Sequence, residues 1–284
     1  MENFFDQLDA LYQAGDSPAV ERYLLDCLQQ ESADSPALVP VLNELGAFYR
    51  GVGRFEASGS YFHQALNCLE KNGQQGGVSY ATVLLNLAGT DRLAGEPERA
   101  IALFQTAMAL LQENGQQDSY EYASVLNNLS IAYQQVGQLD AALEMLRRSL
   151  SLVQKRADTG PEVATALNNL ALLYLRMGEI DEADRCVSQA LRLFEDMTEE
   201  NVHHAAALSA KGSVCYQKRE FARAAAFYSD SLALMRRFCG ENMEYAITCK
   251  NLSKAYAATG KEHESEEMQR RAQAILCRLS APST

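Results

Sequence analysis

The stretch LNNLALLYLRMG, residues 167–178, decides the reading of this chain, because it recurs without gaps elsewhere. The copies are LNELGAFYRGVG (42–53), LLNLAGTDRLAG (84–95), LNNLSIAYQQVG (126–137) and CKNLSKAYAATG (249–260). They close on Gly53, Gly95, Gly137, Gly178 and Gly260. A weaker copy, LSAKGSVCYQKR (208–219), ends in Arg219 where the glycine would stand, and an N-terminal copy ends at Gly15. The successive spacings are 38, 42, 42, 41, 41 and 41 residues. A fixed period of this length marks stacked repeats, in which each unit buries its apolar face against its neighbours.

Two helices are legible in each repeat. Leu167, Leu170, Ala171 and Tyr174, like Leu126, Leu129, Ser130 and Tyr133, follow the i, i+3, i+4, i+7 spacing of a single helical stripe. The glycine comes four residues after the stripe, where a left-handed C-cap is wanted. A second amphipathic helix follows, with a small residue at its first crossing point: Ser58, Ala100, Ala142, Ala183, Ala224 and Ser265. Phe62, Phe104, Leu146, Val187 and Tyr228 stand one turn later and fill the space beside the crossing. Polar turn-forming stretches separate the units, at 71–77, 113–118, 156–160 and 239–242.

Composition agrees with helix. There are six prolines and no tryptophan, with 47% hydrophobic and 22% charged residues. The formal net charge of −12 repels phosphate backbones and anionic membrane surfaces, which argues against nucleic acid and membrane as partners. No run approaches the ~18 uninterrupted apolar residues of a membrane span. The first twelve residues carry Glu2, Asp6 and Asp9 and lack the basic and apolar regions of a signal peptide, so a cytoplasmic location is expected. The seven cysteines (27, 68, 186, 215, 239, 249 and 277) form no CxxC pair and read as small apolar core residues of a reducing compartment.

These residues resemble the tetratricopeptide repeat in a longer form of ~42 residues, against the usual ~34. The stretch GPEVATALNNLALLYLRMGEIDEA (160–183) is similar to a repeat of the kinesin-light-chain type. The resemblance implies an all-α fold, a right-handed superhelical solenoid of about seven antiparallel helix pairs. The pairs fall near 2–30, 38–72, 79–114, 121–156, 162–197, 203–238 and 244–279, forming a single solenoid over 1–280 with a flexible tail at 281–284. No motor-binding heptad region precedes the repeats, so a kinesin-specific role is not expected. Two copies depart from the pattern: Asp91 replaces the stripe tyrosine, and 208–219 lacks both the glycine and the Asn-Leu pair.

The most specific candidate for function is a row of asparagines. Nine residues before the turn glycine stand Asn86, Asn128, Asn169 and Asn251, and one position earlier stand Asn43, Asn127 and Asn168. Asparagine is a mediocre helix former, so its repetition in mid-helix suggests a use. In the resembled family the first helices line the concave face, and asparagines at these positions hold the backbone of an extended peptide. An amide suits this because it donates and accepts at once. The alternative is that these side chains only bond between neighbouring repeats.

The same inward positions carry Arg50, Arg92, Arg176, Lys250 and Lys254 against Glu44. Such a groove would attract an acidic segment. The plainer reading is that these cations keep the helices soluble, and the acidic first pair weakens the bias. The expected partner is therefore another protein or peptide, with an acidic extended segment as the sharper form. The competing readings are an assembly subunit acting through its convex face or terminal helices, for instance a homodimer through C-terminal helices carrying Met268, Ile275, Leu276 and Leu279, and a peptide-sensing regulator of a neighbouring enzyme. No catalytic residue, metal site or cofactor is expected. His203 and His204 point about 100° apart on a helix, and none of the GxxxxGK[ST], GxGxxG, HExxH or GxSxG patterns occurs.

Overall fold

Left-handed backbone appears at every repeat end. Gly15, Gly53, Gly95, Gly137, Gly178 and Gly260 have φ between 70° and 89°, and Arg219 reaches 62° in the copy that lacks the glycine. Among the described residues Arg219 is the one non-glycine residue with positive φ. There the Cβ crowds the following carbonyl, at a cost of roughly 1–2 kcal/mol for a residue other than glycine. The turn forms nonetheless, because its backbone bonds are those of the other copies. Arg219 N–H donates to the Tyr216 carbonyl and Glu220 N–H to the Cys215 carbonyl, as Gly178 and Glu179 do to Leu175 and Tyr174.

The computed structural model describes residues 2–31, 35–156, 160–195, 202–238 and 240–280. Cys239, part of the 156–160 turn and the tail at 281–284 lie outside them. Among the described residues there are fourteen α-helices and no strand, an all-α repeat solenoid of about seven helix pairs. The chain divides into two compact units, Met1–Met145 and Leu146–Thr284. The first holds α1 (Glu2–Ala14), α2 (Ser17–Gln30), α3 (Leu38–Gly51), α4 (Phe55–Lys71), α5 (Val78–Leu93), α6 (Pro97–Glu113), α7 (Tyr120–Gln135) and the start of α8 (Leu139–Gln154). The second holds the rest of α8, then α9 (Gly160–Met177), α10 (Ile180–Glu195), α11 (Val202–Gln217), α12 (Phe221–Phe238), α13 (Met243–Ala258) and α14 (Glu262–Ser280). No helix of the described residues is long and apolar enough to cross a membrane.

At the α4 crossing the small residue is also a hydrogen-bonding one. Ser58 Oγ lies 2.7 Å from the Gly46 carbonyl, to which it donates, and 2.9 Å from the Thr90 hydroxyl, joining α4 to α3 and α5. Gly46 admits the Phe62 ring, since a Cβ there would sit 2.6 Å from it. Gly212 does the same in the second unit, 2.7 Å from the ring of Tyr228. Phe62, Leu87, Phe104 and Leu126 are fully buried in the first unit, as are Leu173 and Val187 in the second. Each such side chain contributes roughly 1.5–3 kcal/mol by leaving water.

The stripe tyrosines carry a second function that the periodicity did not announce. Tyr49 donates to Glu21 at 2.6 Å, Tyr133 accepts from Gln105 at 2.9 Å, and Tyr174 accepts from Arg147 at 2.9 Å. In each case the partner belongs to the preceding second helix, 27 or 28 residues upstream. Where Asp91 replaces the tyrosine, the residue 28 positions upstream is His63. Burial raises the Asp91 carboxyl above its usual range, while Arg99 and then His63 pull it down. Arg99 Nη2 lies 3.5 Å from Asp91 Oδ2 in ion-pair range, without the geometry of a hydrogen bond.

Two expectations need correction. Cys277 is exposed on α14, and Cys27 and Cys186 are half-buried, so the cysteines are not uniformly core; the six described form no disulfide. Among the proposed docking residues of the C-terminal helix, Ile275 is buried, and Met268 and Leu276 pack against the same core. Only Leu279 of that set is exposed. Helix α14 packs Met268, Ala272, Ile275 and Leu276 into the core shared with α13, leaving an outer face rich in glutamate, glutamine and arginine with Cys277 and Leu279 near its end.

Candidate functional site

The asparagine row lies on the first helices of the pairs, half-buried on α3, α5, α7 and α13, while on α9 Asn168 is buried and Asn169 half-buried. In the first unit the structure brings Asn43, Glu44, Arg50, Asn86 and Arg92 together on α3 and α5, all half-buried. Asn86 Nδ2 donates to Asn43 Oδ1 at 2.8 Å, a bond between neighbouring repeats. Arg50 Nη1 donates to the Asn86 backbone carbonyl at 3.1 Å, with a longer contact of 3.5 Å to Asn86 Oδ1. Glu44 approaches Asn43 Nδ2 at 3.5 Å. Gly89 makes the Arg50 position available, because a Cβ at 89 would lie 3.1 Å from its Nη1.

The electrostatics follow from burial. Glu44 is raised above the usual carboxylate range by burial and by Asp9, against the lowering influence of the Asn43 amide and Arg50. The Arg50 guanidinium is lowered by burial and supported by Glu44. Arg92 is lowered by burial and then by the positive charge of Arg50, and its Nε is shielded from water without a partner. Helix α7 is wired differently. Asn128 Nδ2 bonds back to the Ser124 carbonyl at 3.0 Å, and the Asn127 backbone carbonyl accepts from Ser130 Oγ at 2.6 Å.

In the second unit, Asn168 and Asn169 lie on α9 with Arg176 exposed near its end, and Lys250, Asn251 and Lys254 lie on α13. Helix α11 packs against both α9 and α13. It carries Ser209, whose hydroxyl meets Thr248 of α13 at 3.2 Å. Asn168 is 5% exposed and its Oδ1 has no hydrogen-bond partner. Asn251 is half-buried, and Lys250 and Lys254 are exposed. The charge reading missed the apolar component of this face. Met243 and Ile247 are exposed two turns and one turn before Lys250 on α13, and Leu172 is exposed on α9. The signal was present in the sequence, since 243, 247, 250 and 254 share one helical stripe.

A separate cavity of about 700 Å³ in the second unit is lined by residues of α8, α9 and α10, among them Arg147, Tyr174, Asp184 and Cys186. Three of its cations are engaged: Lys218 Nζ lies 2.7 Å from Asp184 and 3.1 Å from Asp181, Arg185 pairs with Glu182, and Arg147 donates to Tyr174. Burial raises the Cys186 thiol, the reverse of an activated nucleophile. Among the described residues no group of three or more His, Cys, Asp or Glu is placed to hold a metal ion.

Comparison with known proteins places this architecture. A tetratricopeptide repeat model matches residues 38–113 and 121–196, and a second tetratricopeptide repeat model matches 169–235, together more than half of the chain. No curated protein matches the chain. Among solved structures, BtubC (BKLC) from P. vanneervenii is 22% identical with a TM-score of 0.63, over 82% of this chain and 93% of that one. A putative kinesin light chain with tetratricopeptide-like repeats from Podosopora anserina is 19% identical with a TM-score of 0.57, over 72% and 98%. NprR in complex with its cognate peptide NprX is 15% identical with a TM-score of 0.66, over 100% and 82%. At these identities the likeness concerns the fold. On the extent of the repeat match, the chain belongs to the tetratricopeptide repeat family.

Proposed function

We propose that the chain is a binding module that holds an extended segment of another protein along the open face of its first helices. The observation that carries this reading is the set of amides and cations on that face with unused bonding capacity. Lys250 and Lys254 stand exposed beside the half-buried Asn251 on α13. A peptide main chain supplies the complementary donors and acceptors, and its side chains supply selectivity. The peptide complex of NprR, a protein of similar fold, is consistent with such use. An acidic segment fits the cations best, and its association would weaken as salt rises. The groove reading treats residues 1–280 as one solenoid because the repeat spacing is unbroken, and it assigns no catalysis and no cofactor. A cytoplasmic location accords with the cysteine usage.

The test is selection of binding peptides from a random library displayed on phage, followed by affinity measurement. Asn128→Ala and Asn169→Ala together should weaken the selected peptides roughly tenfold or more, as expected for two lost hydrogen bonds of about 1 kcal/mol each. Circular dichroism should show an intact helical fold. Unchanged affinity in the folded double variant would sink the asparagine reading.

A further inference from the structure

The cavity of about 700 Å³ in the second unit lies between the second helices α8 and α10, above the apolar stripe of α9. Asn168, Asn169 and Arg176, which α9 contributes to the first-helix row, do not line it. Its floor is apolar: Leu167, Leu170 and Tyr174 are buried, with Leu150 of α8 half-buried beside them. The carboxylates of its lining are all matched. Asp184 pairs with Lys211 and Lys218, Asp181 with Lys218, and Glu182 with Arg185. Two exposed guanidinium groups are left over, one on each wall. Arg147 of α8 donates to the neutral Tyr174 hydroxyl at 2.9 Å and has no carboxylate partner among the described residues. Arg192 of α10 makes no hydrogen bond or ion pair among them. The charge of Arg147 also reaches the α10 wall, where it lowers the Cys186 thiol against the stronger effect of burial.

We propose that this cavity is a second binding site, for a small organic acid whose hydrocarbon body lies on the leucine floor and whose carboxylate pairs with Arg192. Arg147 adds its field from the facing wall. The site does not depend on the groove reading, because it uses other faces of the helices. Small-molecule sites are hollows of roughly 300–1,000 Å³, mostly apolar, with a few placed polar groups, and this cavity has that size and layout. Its unmatched polar groups are cationic donors, so the complement is an anion, and the guanidinium fork accepts a carboxylate edge to edge. In a chain of net charge −12, such a local excess draws anions that the rest of the surface repels. Arg192 is exposed, so salt screens a bare anion there, and burial of the apolar body supplies the remaining affinity.

The experiment uses the full chain and sodium octanoate below its micellar concentration, with octanamide, sodium acetate and sodium chloride as controls at matched ionic strength. Calorimetry measures the affinity. Protection of Cys186 from N-ethylmaleimide, read residue by residue by mass spectrometry, places the ligand in the cavity. Octanoate should bind saturably and slow alkylation of Cys186 several-fold, while the exposed Cys277 of α14 reacts at its unliganded rate. Octanamide lacks the charge and acetate lacks the tail, so each should bind roughly tenfold more weakly or worse. R192Q should weaken octanoate by roughly tenfold as well, and R192K, which keeps the charge without the fork, should fall between. Arg192 is exposed, and circular dichroism should show both variants folded. Octanoate that binds no tighter than octanamide or acetate, that protects every cysteine alike, or that binds R192Q fully would overturn the site. The groove is judged apart from it. Peptides selected from the library should bind equally well at saturating octanoate, and their displacement would overturn the separateness of the two sites.

Discussion

The open faces of the two units share a repeat register but differ in wiring. On α3 and α5 the asparagines bond to each other and to an arginine, and both arginines are half-sunk into the surface. On α9 and α13 Asn168 is buried without a partner for its oxygen, and the cations are exposed lysines and Arg176. The carboxylates diverge in the same way. Burial raises Glu44 and Asp91 in the first unit. In the second, burial of Asp184 is more than offset by Lys211 and Lys218, which hold it below the usual range, and Arg278 and Arg271 do the same for Glu241. The same position in a repeat therefore does not imply the same task. The first unit strains its charges, and the second pairs them.

Acid should give the largest separation between the units. Glu44 and Asp91 titrate higher folded than unfolded, so their burden is relieved as pH falls from 7 through their folded values. Asp184 and Glu241 titrate lower folded than unfolded, so their contribution is present above about pH 4 and is lost as pH falls below it. Hydrogen exchange, corrected for the intrinsic pH dependence of exchange, should show α10–α14 opening below about pH 4 while α3–α6 stay protected. The reverse order would contradict the assignment of charge strain to the first unit.

A matched pair of substitutions probes the asparagines. Asn86→Leu removes partners of both Asn43 and Arg50 and should cost about 1–2 kcal/mol. Asn168→Leu removes a buried oxygen that has no partner and should stabilise by about 1 kcal/mol. Urea unfolding measures both, and equal effects would mean that the wiring difference has no energetic weight. The smallest effect is expected at the turn of the sixth copy. Arg219→Gly should raise stability by about 0.5–1 kcal/mol, since relief of the left-handed strain is partly offset by glycine's greater freedom in the unfolded chain. A change in Tm of a few degrees upward is the readout, and a loss would show that the Arg219 side chain contributes more than its backbone costs.

Much of the fold was legible because it is local. The stripe, the glycine four residues beyond it and the small crossing residue each follow from helix geometry within about forty residues, and the left-handed Arg219 falls where the register puts it. The candidate site was legible only as a row of positions. Asn86 and Asn128 occupy equivalent places, yet one bonds across to Asn43 and the other back to Ser124. The partner 27 or 28 positions before Tyr49, Tyr133 and Tyr174 was readable in principle from the repeat register, and so was the exposed stripe of Met243, Ile247, Lys250 and Lys254.

Taken alone, the sequence determined the repeat number, the helix register and which residues share a face, because periodicity is set by backbone geometry that every copy repeats. The tertiary structure decided which amides are already occupied, that Arg50 is matched and Arg92 is not, and that Ile275 belongs to the core instead of a docking surface. Those outcomes depend on neighbours from other repeats and on how much water they exclude. Desolvation and partner geometry act between repeats, where sequence spacing carries no direct record of them.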